Sequence, residues 1–302
     1  MTRAAEKSFK NYVVALRPWS FTASLTPVLL GSVLAYKVYG HFNIWICLLV
    51  CLTALSVHAA GNLVNTYFDY VKGVDCKKSD DRTLVDHLLS PNDVATMGAI
   101  FYFIGCVGFA LCAYLSPAKM EHLAFIYFGG LSGSFLYTGG LGLKYIALGD
   151  LAIFLTFGPV TVLFAYMAQG GALSWMPILY TIPLALNTEA ILHANNTRDM
   201  DSDKAAGIVT IAILAGKTGS YLLLTSLLFV PFIILAVFTL NFSKWFFLPL
   251  LTVFSAFNCE RMFRKKDLSK LPGKIALLNL QLGLLYVLAF LLTEKSLMPG
   301  FV

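Results

Sequence analysis

Residues 44–75 read IWICLLVCLTALSVHAAGNLVNTYFDYVKGVD, and the way this stretch changes character along its length decides the fold. No formal charge occurs from Ile44 to Phe68. A bilayer-spanning helix needs about 20 mostly apolar residues, so the run at 44–66 is long enough to be one. Its far end then gathers Asn62, Asn65, Asp69, Lys72 and Asp75. At about 100° per residue, Asn62, Asn65 and Asp69 fall within about 60° of one another on a helix, a single polar face at the end of an apolar rod.

The rest of the chain repeats this texture. Of its 302 residues, 58% are hydrophobic and 13% charged, whereas a soluble domain carries about 25% charged residues. The chain reads as an all-α membrane protein with about nine spans, centred on 22–38, 44–66, 94–115, 123–137, 148–168, 176–194, 219–238, 245–260 and 275–292. Cytoplasmic loops collect Lys and Arg. With the N-terminus inside, only Lys37, Lys119, Lys244 and Lys295 of the 22 basic residues fall outside. The net charge of +6 is thus explained by topology, and no nucleic acid is required to account for it. The opening MTRAAEKSFK is too polar for a secretory signal, which makes the first span an expected uncleaved anchor. The six cysteines include no CxxC pair, and most lie in spans, where a thiol behaves as a small hydrophobe.

A second polar cluster, HANNTRDMDSD at 193–203, closes the sixth span. Asn195, Asp199 and Asp203 share one helical face within about 80°, and the cluster repeats the Asn-x3-Asp spacing of Asn65 and Asp69. An even number of crossings separates the two, so both emerge on one side, as an internal duplication would place them. Carboxylates and carboxamides without nearby His or Cys suit a hard cation such as Mg2+, which fills its remaining positions with water and phosphate oxygens. The competing reading is a pair of solvated helix ends.

Lys72, Arg82, Lys144, Arg198 and Lys204 lie on the same side as the clusters, where cations would stabilise a departing diphosphate. Lys144 interrupts the apolar, glycine-rich YTGGLGLKYIALGD at 137–150, and an ionisable group in such a place is functional or topogenic. His58 and Glu189 are ionisable groups inside spans, each on a span that carries one cluster. Tyr67, Phe68, Tyr137 and Tyr145 stand near the polar ends, either over a cation or as ordinary packing. A transporter with paired acidic groups or a lipid-sensing binding protein remain rival classes. A CDP-alcohol phosphotransferase would need an Asp-Gly-x2-Ala-Arg block, which is absent.

Together these motifs resemble the UbiA superfamily of intramembrane prenyltransferases, closest to its menaquinone branch. Further matches are LRPWSFTASLTPVLLG at 16–31, SDDRTL at 79–84, LYTGGLGLKYIALGDL at 136–151 and NNTRDMDSDKAAGIVTIAILAG at 195–216. Many family members read Asn-Asp-x2-Asp-x3-Asp in the first motif; here Thr66 and Gly73 occupy two of those positions, and Asp75 follows two residues on. The resemblance implies a cytoplasmic N-terminal segment at 1–18, a prenyltransferase membrane domain at 19–295 around a central cavity, and a tail at 296–302.

By the same resemblance, Mg2+ is held by Asn65, Asp69, Asn195, Asp199 and Asp203, and Asp69, Asp199, Asp203 and Lys144 form the catalytic set. Asn65, Lys72, Arg82, Asn195 and Arg198 bind the diphosphate; Asn62, Tyr67, Tyr137, Tyr145, Glu189 and Asn196 bind the quinol or the isoprenoid tail. The implied reaction moves a geranylgeranyl chain from its diphosphate to a naphthoquinol, giving menaquinone-4. The resemblance also implies the endoplasmic reticulum or Golgi, with mitochondrial membranes still open, and a sterol-synthesis enzyme as partner.

Overall fold

The computed structural model describes residues 9–75, 81–130 and 133–300. Its helices in chain order are α1 (Phe9–Leu16), α2 (Thr22–Tyr39), α3 (Ile44–Val71), α4 (Pro91–Leu115), α5 (Met120–Gly129), α6 (Ser134–Thr138), α7 (Gly149–Leu155), α8 (Thr161–Gly170), α9 (Met176–Arg198), α10 (Met200–Ala205), α11 (Ile211–Asn241), α12 (Phe247–Leu250), α13 (Val253–Arg264) and α14 (Leu271–Leu292). No strand occurs among the described residues beyond one isolated bridge, Ile146 with Val209. The all-α membrane class expected from the apolar runs is the class observed.

Six helical stretches among the described residues are long and apolar enough to cross a bilayer: Pro18–Tyr39, Ile44–Val71, Pro91–Leu115, Gly149–Gly170, Ile211–Asn241 and Leu271–Leu292. Three expected spans are built otherwise. The run at 123–137 is divided between α5 and α6, and that at 245–260 breaks into a 3-10 turn, α12 and α13. The third, α9, is a continuous helix of 23 residues; Asn187, Glu189, Asn195, Asn196 and Arg198 along it lower its apolarity. Of the cytoplasmic lysines expected by charge, Lys77 and Lys78 lie outside the described residues, as do Arg3, Lys7 and Cys76.

Local chemistry sets the ends of these rods. Asn43 caps α3 by accepting from the Trp45 and Ile46 amides. A capping box between Ser90 and Asp93 opens α4, two orphan helix-end donors satisfied reciprocally. Gly73, at φ 71°, turns the chain out of α3 in the left-handed region that only glycine enters freely, so Asp75 leaves the helix axis. Between α7 and α8 the residues Thr156–Val160 form a π turn containing Pro159.

Close helix contacts need small residues. A Cβ on Gly31 of α2 would stand 2.3 Å from the Val162 carbonyl oxygen of α8. The core runs through the whole bundle, with Tyr127 stacked on Phe109 at 4.5 Å and a group of Tyr180, Phe246, Tyr286 and Phe290 at one end. At that end Lys37 donates to the Leu291 and Thr293 carbonyls, and Lys295 to that of Val38. The polar motif ends meet at the opposite end.

Candidate active site

Three structural features bring the two motifs together. α3 carries Asn65 and Asp69 on one face in its last two turns, while α9 carries Asn195, α10 carries Asp203, and Asp199 is the joint between those two helices. The turn after α6 brings in Lys144 and Tyr145. It is tied to the chain after α10 by a short parallel bridge, in which the Ala147 amide donates to the Val209 carbonyl at 2.7 Å and the Val209 amide to the Tyr145 carbonyl at 3.1 Å.

Lys144 is the hub of this arrangement. Its ammonium lies 2.6 Å from Asp69 Oδ2 and 3.1 Å from Asn65 Oδ1. Tyr145 donates its hydroxyl to Asp69 Oδ1 at 2.9 Å, and Thr138 donates to Asn65 Oδ1 at 3.2 Å. Burial and the neighbouring Asp69 charge push the Tyr145 phenol upward, which keeps it a neutral donor. Lys72 stands 3.8 Å over the Tyr145 ring, a cation–π contact rather than a direct place on the carboxylates. Across the cavity, Arg198 holds Asp199 by two hydrogen bonds, 2.8 and 2.7 Å.

Asn65, Asp69, Lys144, Asn195, Arg198, Asp199 and Asp203 line one cavity of about 280 Å3, together with Asp75, Asp81, Arg82, Arg17 and Tyr137, while Tyr145, Thr138 and Lys72 stand behind its wall. Neither Asp75 nor Asp203 makes an ion pair within 4 Å among the described residues. Burial, then the Asp69 and Asp81 charges, push Asp75 up to about 7. Asp203 rises to about 6 through burial, with the nearby Asp199 charge adding to it and Lys144 opposing it. Carboxylates crowded this way carry excess negative charge that a divalent cation would relieve. All the donors are oxygens, and the residues present therefore fit Mg2+. Among the described residues no three His, Cys, Asp or Glu side chains are gathered closely enough to form a ready-made metal cluster. The donor set faces a cavity instead of closing on itself, and bound phosphate oxygens and water would complete it.

A second, more apolar cavity of about 150 Å3 shares Arg17, Asn65, Tyr137 and Asn195 with the first. His58, Asn62, Thr156 and Phe157 extend it toward the bundle interior, the π turn setting Thr156 and Phe157 there. His58 is held by Ser20 Oγ at 3.1 Å and Ser24 Oγ at 2.8 Å, with the Phe157 ring 4.7 Å away. Asn62 donates to the Leu16 carbonyl and to Ser20 Oγ, fixing this wall. Gly61 and Gly133 are shared in turn with an apolar groove of about 900 Å3 between α3 and α4.

Not every residue singled out in the sequence faces these polar cavities. Tyr67 lies in the apolar groove, edge-on to Phe68. Arg82 lines the first cavity, but its guanidinium bonds Asp86 at 2.8 Å. Glu189 is buried behind the wall with the Asp150 carboxyl as its neighbour, and Asp150 Oδ1 in turn stands 3.7 Å from His193 Nδ1. Asn196, by contrast, lines the first cavity and donates toward Asp150 Oδ2 at 3.5 Å.

Sequence reasoning missed Arg17 and Asp81. Arg17 sits at φ 51° before the Pro18 turn and reaches Asp81 Oδ2 at 2.5 Å, while Thr66 donates to the same oxygen at 2.6 Å. Burial would raise Asp81, but the Arg17 guanidinium holds it well below the usual carboxylate range. Arg17 is itself raised on balance: burial lowers it, and the Asp81 carboxylate more than compensates. The signal was present in the LRPWS and SDDRTL matches, but only the fold shows the two segments pairing.

Residues 24–292 match the UbiA prenyltransferase family. The chain is 56% identical over 301 residues to UbiA prenyltransferase domain-containing protein 1 of Mus musculus, covering 98% of this chain and 90% of that protein. Its fold is similar to the apo structure of a UbiA homolog from Aeropyrum pernix, with a TM-score of 0.71 and 17% identity over 89% of this chain and 97% of that one. It is similar also to a UbiA homolog from Archaeoglobus fulgidus bound to GPP and Mg2+, with a TM-score of 0.60 and 16% identity over 92% and 99%.

Proposed function

From the premise that this chain belongs to the UbiA prenyltransferase family and is an intramembrane prenyltransferase, we propose that it transfers a geranylgeranyl chain from its diphosphate to a reduced naphthoquinone, giving the quinol form of menaquinone-4. The observation that carries this reading is the joining of a carboxylate-lined cavity to an apolar one through Asn65, Tyr137 and Asn195. A charged head and a greasy tail can be held at once, with the bond to be broken at the junction.

In this proposal Asn65, Asp69, Asn195, Asp199 and Asp203 hold Mg2+, which supplies positive charge against the diphosphate. Lys144, Arg198 and, farther out, Lys72 and Arg82 offset the charge that grows on the diphosphate as the allylic carbon–oxygen bond breaks. The allylic cation so formed would be captured by water, so the site must exclude it. Phe157 and Tyr137 offer aromatic faces in the second cavity, each able to stabilise a desolvated cation by about 2 kcal/mol. The quinol then attacks through a ring carbon, and loss of the ring proton restores aromaticity. Asn62 is the polar group of the second cavity that would orient a quinol hydroxyl through its Oδ1, its Nδ2 being held by Leu16 and Ser20, while His58, bonded at both ring nitrogens, fixes the wall behind it.

A nine-crossing topology with a cytoplasmic N-terminus, and descent of the two Asn-x3-Asp ends from an internal duplication, belong to the same proposal, as do residence in the endoplasmic reticulum or Golgi and a sterol-synthesis partner. The deciding experiment supplies purified protein with Mg2+, labelled geranylgeranyl diphosphate and reduced menadione. Labelled menaquinol-4, oxidised by air to menaquinone-4 on extraction, should appear, disappear with chelator and return with Mg2+. Turnover confined to another acceptor would reject the naphthoquinol while keeping prenyl transfer.

A further inference from the structure

At the charged ends of α13 and α14 lies a cavity of about 490 Å3 that shares no lining residue with the candidate active site. Arg261, Lys265 and Lys274 stand around it against one acidic residue, Asp267. None of these three cations makes an ion pair among the described residues. Arg264, a turn away, is by contrast held by Glu260 at 3.3 Å, and Glu260 accepts from the Tyr221 hydroxyl at 2.7 Å. Three cations against one carboxylate leave a net positive charge of two around one concavity, which favours an anion.

The surroundings identify what kind of anion. The floor is apolar, formed by Cys259, Met262 and Leu278. On the outer faces just beyond, Phe254 is 75% exposed, Phe257 55% and Leu277 47%. Leu277 stands on α14, which is long and apolar enough to cross a bilayer, and Phe254 and Phe257 stand on the adjoining α13; side chains so exposed beside a spanning helix would meet hydrocarbon, and one or two turns separate them from the cations. The cavity therefore sits where a bilayer passes from acyl chain to head group, and basic pockets between helices at such a level suit anionic lipids. A free phosphate would use the cations alone, whereas a phospholipid uses both the cations and the apolar faces.

We propose that this cavity binds the head group of an anionic phospholipid, with Arg261, Lys265 and Lys274 on the phosphate and the acyl chains against Phe254, Phe257 and Leu277. A depression between the two shares Lys274 and Leu277 with this cavity and Trp19 and Arg198 with the candidate active site. The lipid thus occupies a surface position beside the reaction chamber, outside it.

The test uses the full chain in nanodiscs of phosphatidylcholine and phosphatidylinositol, released into mild detergent and weighed by native mass spectrometry. The wild type should retain phosphatidylinositol in preference to phosphatidylcholine. The pair Arg261→Gln and Lys274→Gln should weaken that retention about thirtyfold, at roughly fivefold per cation near the surface. The pair Arg264→Gln and Lys266→Gln removes equal charge outside the cavity and should stay within about twofold of wild type. Wild-type prenyl transfer by both pairs reports that they fold. Equal losses in the two pairs would overturn the site in favour of diffuse surface charge. Displacement of the lipid by inorganic phosphate as effectively as by soluble inositol phospholipid would overturn the lipid as its occupant.

Discussion

Lys144 sits 2.6 Å from Asp69 and 3.1 Å from Asn65, and a single side chain thereby answers the first motif's negative charge from another segment. Lys144→Met keeps much of the volume and removes the charge. Loss of one electrostatic contact to a developing anion costs about 10² to 10³ in turnover, so kcat should fall by that factor while expression stays normal; retained activity would reduce Lys144 to a topogenic role. Asp69→Asn and Asp199→Asn should each abolish turnover in the same radiolabel assay with the folded fraction nearly unchanged. Full activity in either would remove that carboxylate from the proposed metal set.

Two features at the scale of elements hold the chamber in shape. The first is the strap formed by Arg17, Asp81 and Thr66, which joins the α1–α2 turn to the chain between α3 and α4. The Arg17 and Asp81 side chains are 25% and 13% exposed, so breaking the pair leaves a mostly buried carboxylate without its counter-charge. Arg17→Met should destabilise by about 1 to 3 kcal/mol, read as a lowered thermal midpoint in detergent. Asp81 is depressed below its ordinary 3.8, so the strap's contribution is complete above that value and is lost as pH falls below it. The difference between wild type and Arg17→Met should therefore shrink in acid and hold constant near neutrality.

The second feature is the close approach of α2 to α8 at Gly31. Gly31→Leu forces backbone apart and should destabilise by about 1 to 3 kcal/mol. Gly273, in the first turn of α14, has nothing within 4 Å of a built Cβ, and Gly273→Ala should leave the thermal midpoint unchanged or slightly raised.

For the whole molecule, the bundle has two chemically distinct ends. Lys37 and Lys295 cap carbonyls at one, and the motifs, Lys144 and the α13–α14 cations gather at the other. Single cysteines placed at Lys119 and Lys295 should react with an impermeant thiol reagent from one side of sealed microsomes, and cysteines at Lys204 and Lys266 only from the opposite side. Labelling of both groups from one side would break the proposed topology.

The sequence by itself determined the membrane class, most span positions and the two Asn-x3-Asp ends, because hydropathy and helical phase are local properties carried by neighbouring residues. Lys144 was legible for the same reason, as a charge interrupting an apolar, glycine-rich loop. Only the tertiary structure decided what each side chain meets. Tyr67 and Asp69 are two residues apart, and helix rotation sends one into an apolar groove and the other onto Lys144. Arg17 and Asp81 are 64 residues apart and Asn196 and Asp150 are 46 apart, separations across which no periodicity carries information. The sequence supplied the donors; the rotation and spacing of the packed helices decided which of them share a cavity.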